Sequence, residues 1–242
     1  CDRRQRQMCI RDSPYTWGTV GIIYNTKYVD AADVTGWELL WNEKYAGKIL
    51  MFDNSRDAFG IAQYLLGYDV NTTDKAELQA CADKLAAQGP VLQQYVMDQV
   101  FSSMENEEAW IAPYYAGDYL TMADANPDLA FYLPKEQGFN LFVDAMCIPS
   151  CCQNKELAEI FINYMLSAEP AIANAEYICY ATPNSLVYED EGYLEDMGEE
   201  AIEILYPELE DFAQLYNSYA YRNLDAESLD YLNTLWENLK IN

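Results

Sequence analysis

The sequence predicts an α/β fold, and three observations carry that prediction. Short apolar runs alternate with stretches of helical periodicity from about residue 18 to residue 148. No internal repeat, low-complexity segment or flexible linker interrupts the alternation. The chain has 242 residues, 51% of them hydrophobic, which is enough for a substantial core in one or two domains. Alternation of this kind is the sequence form of a sheet with crossover connections.

The elements follow in order. "GTVGIIY", residues 18–24, reads as a strand, and "GWELLWNEKYAG" as a short amphipathic helix with Trp37, Leu40 and Trp41 on one face. "KILMFD" is a strand that feeds a helix from about Ser55 to Leu66, where Phe59, Ala62 and Leu66 recur at helical spacing. Asp74 opens a helix through Ala87, and another is expected at about 91–104. "AWIAPYYAG" reads as a strand, "DYLTMADANP" as a helix, and "LAFYLP" and "NLFVDAMCIP" as strands. A long helix is expected from about Asn154 past Pro170 towards Ile178, then a turn at "YATPNS". The densely acidic stretch 189–211 reads as a solvated face, since no calcium-loop motif is present. "AESLDYLNTLWENL" closes the chain as an amphipathic helix.

Composition excludes several functions. Forty acidic residues face 14 basic ones for a net charge of -26, which disfavours nucleic acid and anionic membrane and favours a cationic ligand. Histidine is absent, which removes the usual general base, the Ser-His and Cys-His nucleophiles and the commonest zinc ligand. No phosphate-binding, dinucleotide or nucleophile-elbow motif occurs, so no cofactor is implied. The 21 tyrosines combine an apolar face with a hydroxyl, as the lining of a wet pocket requires. The seven irregularly spaced cysteines read as reduced thiols, and the vicinal Cys151-Cys152 pair lacks a nearby third ligand, so no metal site is expected. No run of about 18 apolar residues reads as a membrane span.

Residues 1–13, "CDRRQRQMCIRDS", hold four of the 14 basic residues and no apolar periodicity. They read as a foreign leader resembling translated sequencing adapter, with the natural upstream sequence missing. Without them the net charge is -28.

Ligands of open α/β sheets sit at the carboxyl ends of strands and at helix N-termini, which directs attention to two joints. In "DNSRDAF" the polar cluster Asp53, Asn54, Ser55 and Asp57 follows a strand; Asp53, Asn54 or Ser55 would cap the helix, and Asp57 would either favour its first turn or meet a ligand. In "YAGD", Tyr115 and Asp118 follow another strand, and Asp118 is either a cap or a ligand group. Asp144 stands inside the apolar run "LFVDAMCI", which reads as a buried strand where capping is unavailable. Only Arg56 and Arg222 follow the leader, so few arginines could pair with Asp144, and an external cation becomes the favoured partner.

Seven segments, "PYTWGTVGIIYN", "GWELLW", "GKILMFDNSRDAFGIAQYLLGY", "APYYAGD", "LPKE", "FVDAMCIP" and "YATPNS", stand in the order found in the spermidine/putrescine-binding proteins of bacterial ABC importers, and from Pro14 onward the chain resembles that family. The resemblance implies a two-lobed, periplasmic-binding-protein-like type II fold that closes over a polyamine, with aromatic rings along the methylenes and carboxylates at the ammonium ends. By position it implies that Asp144 binds an ammonium, that Phe142 and Tyr115 are aromatic walls, and that Asp118 is an acid of putrescine-preferring members. Asp57 then binds the other ligand end, Tyr180 touches ligand, and Gln214 matches a contact in a diverged region. Asn54 stands where spermidine-binding members carry an acid, which tilts the expectation towards putrescine.

The family has roughly a hundred further residues before "PYTWG", so most of the first lobe is expected to be missing and this chain to bind polyamine poorly by itself. The expected organisation is a hinge at 14–21, the second lobe at 22–137, a returning piece of the first lobe at 138–189 and a C-terminal helical part at 190–242 packing on the second lobe. The implied protein is a monomeric, non-catalytic, extracytoplasmic receptor serving permease subunits, with lipid anchoring and permease fusion both open. Two alternatives stand beside it: a receptor for another cationic or iron-bearing ligand, and a carboxylate-dependent hydrolase using Asp57, Asp118 or Asp144.

Overall fold

In the computed structural model, residues 13–209 and 211–241 are described, so most of the expected leader lies outside the described residues. The chain divides into two compact units. Of the described residues, the larger takes 19–141, 209 and 211–241, and the smaller takes 13–18 and 142–208. The chain therefore passes between them at Gly18, at Leu141 and at Glu208.

The larger unit is built on a mixed sheet. Its strands are β1 (Ser13–Asn25), β2 (Ile49–Phe52), β3 (Leu92–Val96), β4 (Ile111–Tyr115) and β5 (Leu129–Tyr132), in the order β3-β2-β4-β1-β5. β2 runs parallel to β3 and β4, whereas β1 is antiparallel to β4 and β5. The apolar runs of β1, β2 and β4 explain this placement: Ile22, Ile23, Ile49, Leu50, Met51 and Ile111 are fully buried, as central strands covered on both faces require. The parallel pairs are joined by α1 (Ser55–Leu66), α2 (Lys75–Ala86) and α3 (Gln99–Glu105); α4 (Ala116–Ala125) then leads from β4 to β5. The carboxyl ends of β2 and β4 lie on the same sheet edge, where α1 and α4 begin.

Two expected helices take other forms. Residues 37–45 form 3-10 turns, Trp37–Trp41 and Glu43–Tyr45, because Asn42 interrupts them with extended backbone and caps the second turn by accepting from Lys44 N at 3.0 Å. Trp37 and Leu40 of the expected apolar face are buried, but Leu39 is buried with them and Trp41 is only half-buried, because a 3-10 turn repeats every three residues. The helix expected at 91–104 is β3 followed by α3, because Leu50, Met51 and Phe52 pair with Gln94, Tyr95 and Val96. Edge pairing outweighs helical propensity there.

In the smaller unit, β6 (Leu141–Met146) pairs with β1 and leads to α5 (Lys155–Met165) and α6 (Ala168–Ile178). The expected single helix is broken at Leu166 and Ser167, and Pro170 falls in the first turn of α6, where a missing N–H costs nothing. α7 (Ser185–Tyr188), α8 (Glu191–Met197) and α9 (Glu199–Leu205) follow. Ala171, Ala175, Val187 and Tyr193 form this unit's core, with Ile202 and Tyr206 packed against it. Residues 190–208, expected with the second lobe, pack here instead because Tyr193 and Leu205 bury their side chains in this unit. α5 buries none of its residues, and Leu157, Ile160, Phe161 and Tyr164 are each more than half exposed.

The chain then returns to the larger unit as α10 (Phe212–Tyr219) and α11 (Ala226–Ile241), the latter packed on α2. Aromatic contacts bind this return: Tyr219 meets Tyr64 at 5.8 Å and Phe139 at 5.5 Å between ring centroids. Gly138, at φ 97°, allows it, since a Cβ there would lie 2.9 Å from both Tyr219 and Tyr64. Among the described residues no helix is long and apolar enough to cross a membrane.

Candidate functional site

The larger unit gathers its acids where β2 and β4 end. Asn54 is the N-cap of α1: its Oδ1 accepts from Arg56 N at 2.9 Å and from Asp57 N at 3.3 Å. The position where spermidine-binding relatives were expected to carry an acid is thus occupied by a cap. Asp53 forms an ion pair with Lys240, and Ser55 Oγ donates to Asn233 at 3.3 Å, so both neighbours are tied to α11.

Capping by Asn54 turns Asp57 inward. Asp57 is only 6% exposed. The Tyr115 hydroxyl donates to its Oδ2 at 3.4 Å, and the Tyr221 hydroxyl also serves it. Arg56 lies next in sequence, but its guanidinium donates elsewhere: to Val70 O at 3.1 Å and to Asn71 Oδ1 at 3.2 Å. Burial pushes the Asp57 carboxyl up to about 6, and the Tyr115 hydroxyl, the Arg56 charge and the Tyr221 hydroxyl only partly oppose it. Burial and the adjacent Asp57 charge raise Tyr115, which stays a protonated donor.

Aromatic rings pack around Tyr115, the donor to this carboxyl. Phe52 stacks on Tyr114 at 5.3 Å and meets Tyr115 at 5.5 Å, and Tyr114 meets Tyr115 edge-on at 4.9 Å. Asp118 lies half-buried in the first turn of α4, close enough for its charge to raise both Tyr114 and Tyr115. The structure therefore brings Asp57, Tyr115 and Asp118 together. A carboxylate held by neutral hydroxyls among aromatic faces suits an alkylammonium group, which gains an ion pair and cation-π contacts at one place. Gln214 is exposed in the first turn of α10, its backbone N–H bonded to the Asp211 cap at 3.0 Å.

The smaller unit joins the other predicted residues. The Phe142 ring lies on Gly18, where a Cβ would come within 2.8 Å of it, and meets Tyr180 at 6.2 Å. Trp17 N donates to Ala181 O at 2.9 Å, which fixes the Tyr180 segment to β1. Asp144 differs from expectation: it is exposed, and Thr16 Oγ1 donates to its Oδ2 at 3.1 Å. β6 buries only Leu141, so the apolar run around Asp144 is not an interior strand.

Sequence reasoning missed Phe52, Tyr114, Thr16 and Tyr221. Phe52 and Tyr114 were visible as the aromatic residues at the two strand ends. Thr16 and Tyr221 reach their acids from 128 and 164 residues away, and no local pattern marks them.

This is the fold of the periplasmic binding proteins, and it is shared with a spermidine/putrescine ABC transporter substrate-binding protein of Streptococcus pneumoniae at TM-score 0.79 and 31% identity, over 95% of this chain and 68% of that one. The chain belongs to the bacterial extracellular solute-binding proteins, whose family model matches residues 4–200. It is 33% identical over 171 residues to the spermidine/putrescine-binding periplasmic protein of Escherichia coli, covering 71% of this chain and 49% of that protein. It is 25% identical over 247 residues to a putrescine/cadaverine-binding protein of Pseudomonas aeruginosa, covering 94% of this chain and 66% of that protein. The chain thus spans about half the length of the E. coli relative.

Proposed function

We propose that the chain is part of a non-catalytic polyamine receptor that works outside the cytoplasmic membrane and hands its ligand to the permease subunits of an ABC importer. The observation that supports this best is Asp57, a buried carboxyl at a strand-to-helix joint that accepts from the Tyr115 hydroxyl, with Phe52 packed on the Tyr115 ring. On the larger unit, Asp57 takes an ammonium group with Tyr115 as its aromatic wall and Asp118 adding negative potential. On the smaller unit, Asp144 with Phe142 and Tyr180 forms a second cation-binding group. Gln214 is exposed and offers a further polar contact.

The preferred ligand is putrescine: Asn54 is committed to its cap and supplies no carboxylate, whereas Asp118 adds one at β4. Asp57 and Asp118 perform no hydrolysis in this reading, because no nucleophile or histidine base accompanies them.

The test is a putrescine and spermidine titration of the 242-residue chain followed by NMR, with Asp57→Asn in parallel. Weak putrescine binding that vanishes in the variant is expected. An equal response in wild type and variant, or a response to ferric iron instead, would refute the assignment.

A further inference from the structure

Tyr221 belongs to none of the segments that carry the family resemblance, yet its surroundings are built to a purpose. It lies in the segment that joins α10 to α11, and two side chains anchor that segment to the larger unit. Asn71 Oδ1 accepts from Arg222 N at 2.6 Å, and Asn71 Nδ2 donates to Ala220 O at 3.0 Å, so both neighbours of Tyr221 are fixed. Arg56 completes the clamp by donating to Arg222 O at 3.4 Å while its guanidinium lies 4.7 Å over the Tyr221 ring.

The clamp presses the tyrosine against α1. A Cβ on Gly60 would overlap the Tyr221 hydroxyl, so glycine one turn after Asp57 opens the space that the hydroxyl fills. From there the hydroxyl reaches the Asp57 carboxyl, which Tyr115 approaches from β4.

We propose that Tyr221 is a positioning residue of the cation site, and that the Arg56-Asn71 clamp and Gly60 exist to hold its hydroxyl on the Asp57 carboxyl. Arg56, beside the acid in sequence, stacks on Tyr221 and donates to Val70, Asn71 and Arg222, so it acts on Asp57 through its charge and not through a direct hydrogen bond. A direct arginine pair would compete with a ligand ammonium for the carboxylate. Two neutral hydroxyls fix its orientation and leave its charge for the ligand. The inference rests on the reading of Asp57 as an ammonium ligand, and its test separates the two.

The groups facing Asp57 are Arg56 and Tyr64 on its own helix, Tyr114 and Tyr115 from β4, and Tyr221, with Asp118 of α4 on the other side of Tyr114 and Tyr115. Tyr64, Tyr114, Tyr115 and Tyr221 are all raised by burial and remain protonated near neutrality, so they keep one charge state while the Asp57 carboxyl, pushed up to about 6, titrates. The experiment follows the carboxyl carbons of the 242-residue chain by NMR against pH, with Asp57→Asn identifying the signal.

Tyr221→Phe keeps the ring under Arg56 and removes only the hydroxyl. It should raise the Asp57 midpoint, by less than Tyr115→Phe does, since the Tyr115 hydroxyl is the stronger of the two influences. Asn71→Ala leaves Tyr221 intact but frees its segment, and it should move the midpoint in the same direction by less. A purely structural role would lower stability in both variants and leave the midpoint in place, and that result would overturn the proposal. Addition of putrescine distinguishes the underlying reading. If the midpoint depends on Tyr221 but the Asp57 signal ignores the diamine, the ammonium assignment fails while the positioning of Asp57 stands.

Discussion

Replacing Asp57 by asparagine should make this protein more stable at neutral pH, and the size of the gain can be worked out. The folded protein holds the Asp57 carboxyl at about 6 against an ordinary value of 3.8. That separation, at 1.36 kcal/mol per pH unit, corresponds to about 3 kcal/mol. Its sign is that of a raised folded value. The stabilising contribution of the protonated acid is fully present below about pH 4 and is lost as pH rises through about 6, where the folded protein must bury a charge that the unfolded chain leaves in water. Asparagine has nearly the same shape, its carbonyl still accepts from the tyrosine hydroxyls, and it carries no charge. The variant should therefore match the wild type near pH 4 and exceed it by up to about 3 kcal/mol at pH 7.5. Urea unfolding followed by tryptophan fluorescence at several pH values measures the difference. The other carboxylates titrate alike in both proteins and cancel in the comparison. Parallel stability profiles across this range would refute the raised Asp57 carboxyl.

Three further substitutions probe the larger unit. Asn54→Ala removes the N-cap of α1 and should cost about 1 kcal/mol in urea unfolding, with Asn54→Asp restoring most of it. Gly60→Ala would ordinarily favour a helix by about 1 kcal/mol, but displacement of the clamped Tyr221 should reverse the sign to a net loss of about 1 to 2 kcal/mol. A neutral or stabilising Gly60→Ala in the same assay would show that Tyr221 is free to move. Trp37→Phe deletes the buried bond from Trp37 Nε1 to Gly138 O at 2.8 Å and leaves that carbonyl without its donor, for a loss of about 1 to 3 kcal/mol read by thermal unfolding.

The strands and most helices of the larger unit were legible because hydrophobic periodicity records which face is buried, and β2, β4 and α1 are buried as that pattern requires. The failures share a cause: pattern does not record the neighbour. Residues 92–96 carry two glutamines and read as helix; only the presence of β2 alongside makes them a strand. The apolar run around Asp144 looked interior, but β6 buries one residue. Asp57 and Tyr115 were legible from the rule that strand ends carry function, and the structure brings their polar atoms within 3.4 Å. The cap at Asn54 was among the readings that remained open. Tyr221 was out of reach, because its placement depends on Asn71 and Arg56, residues with no local signature of such a role.

The return of residues 209–241 to the larger unit also sets an order in time. Asp57 and Tyr115 belong to strands and helices that are complete early in synthesis, whereas Tyr221 and Lys240, which secure Asp57 and Asp53, are made after the whole smaller unit. A nascent chain without the return segment has the acid but lacks one of its two hydroxyls and the lysine that holds the preceding loop. Closing a contact across 164 residues is slow compared with forming a local turn. The surroundings of Asp57 are thus complete only after the return segment has been made and has packed back onto the larger unit.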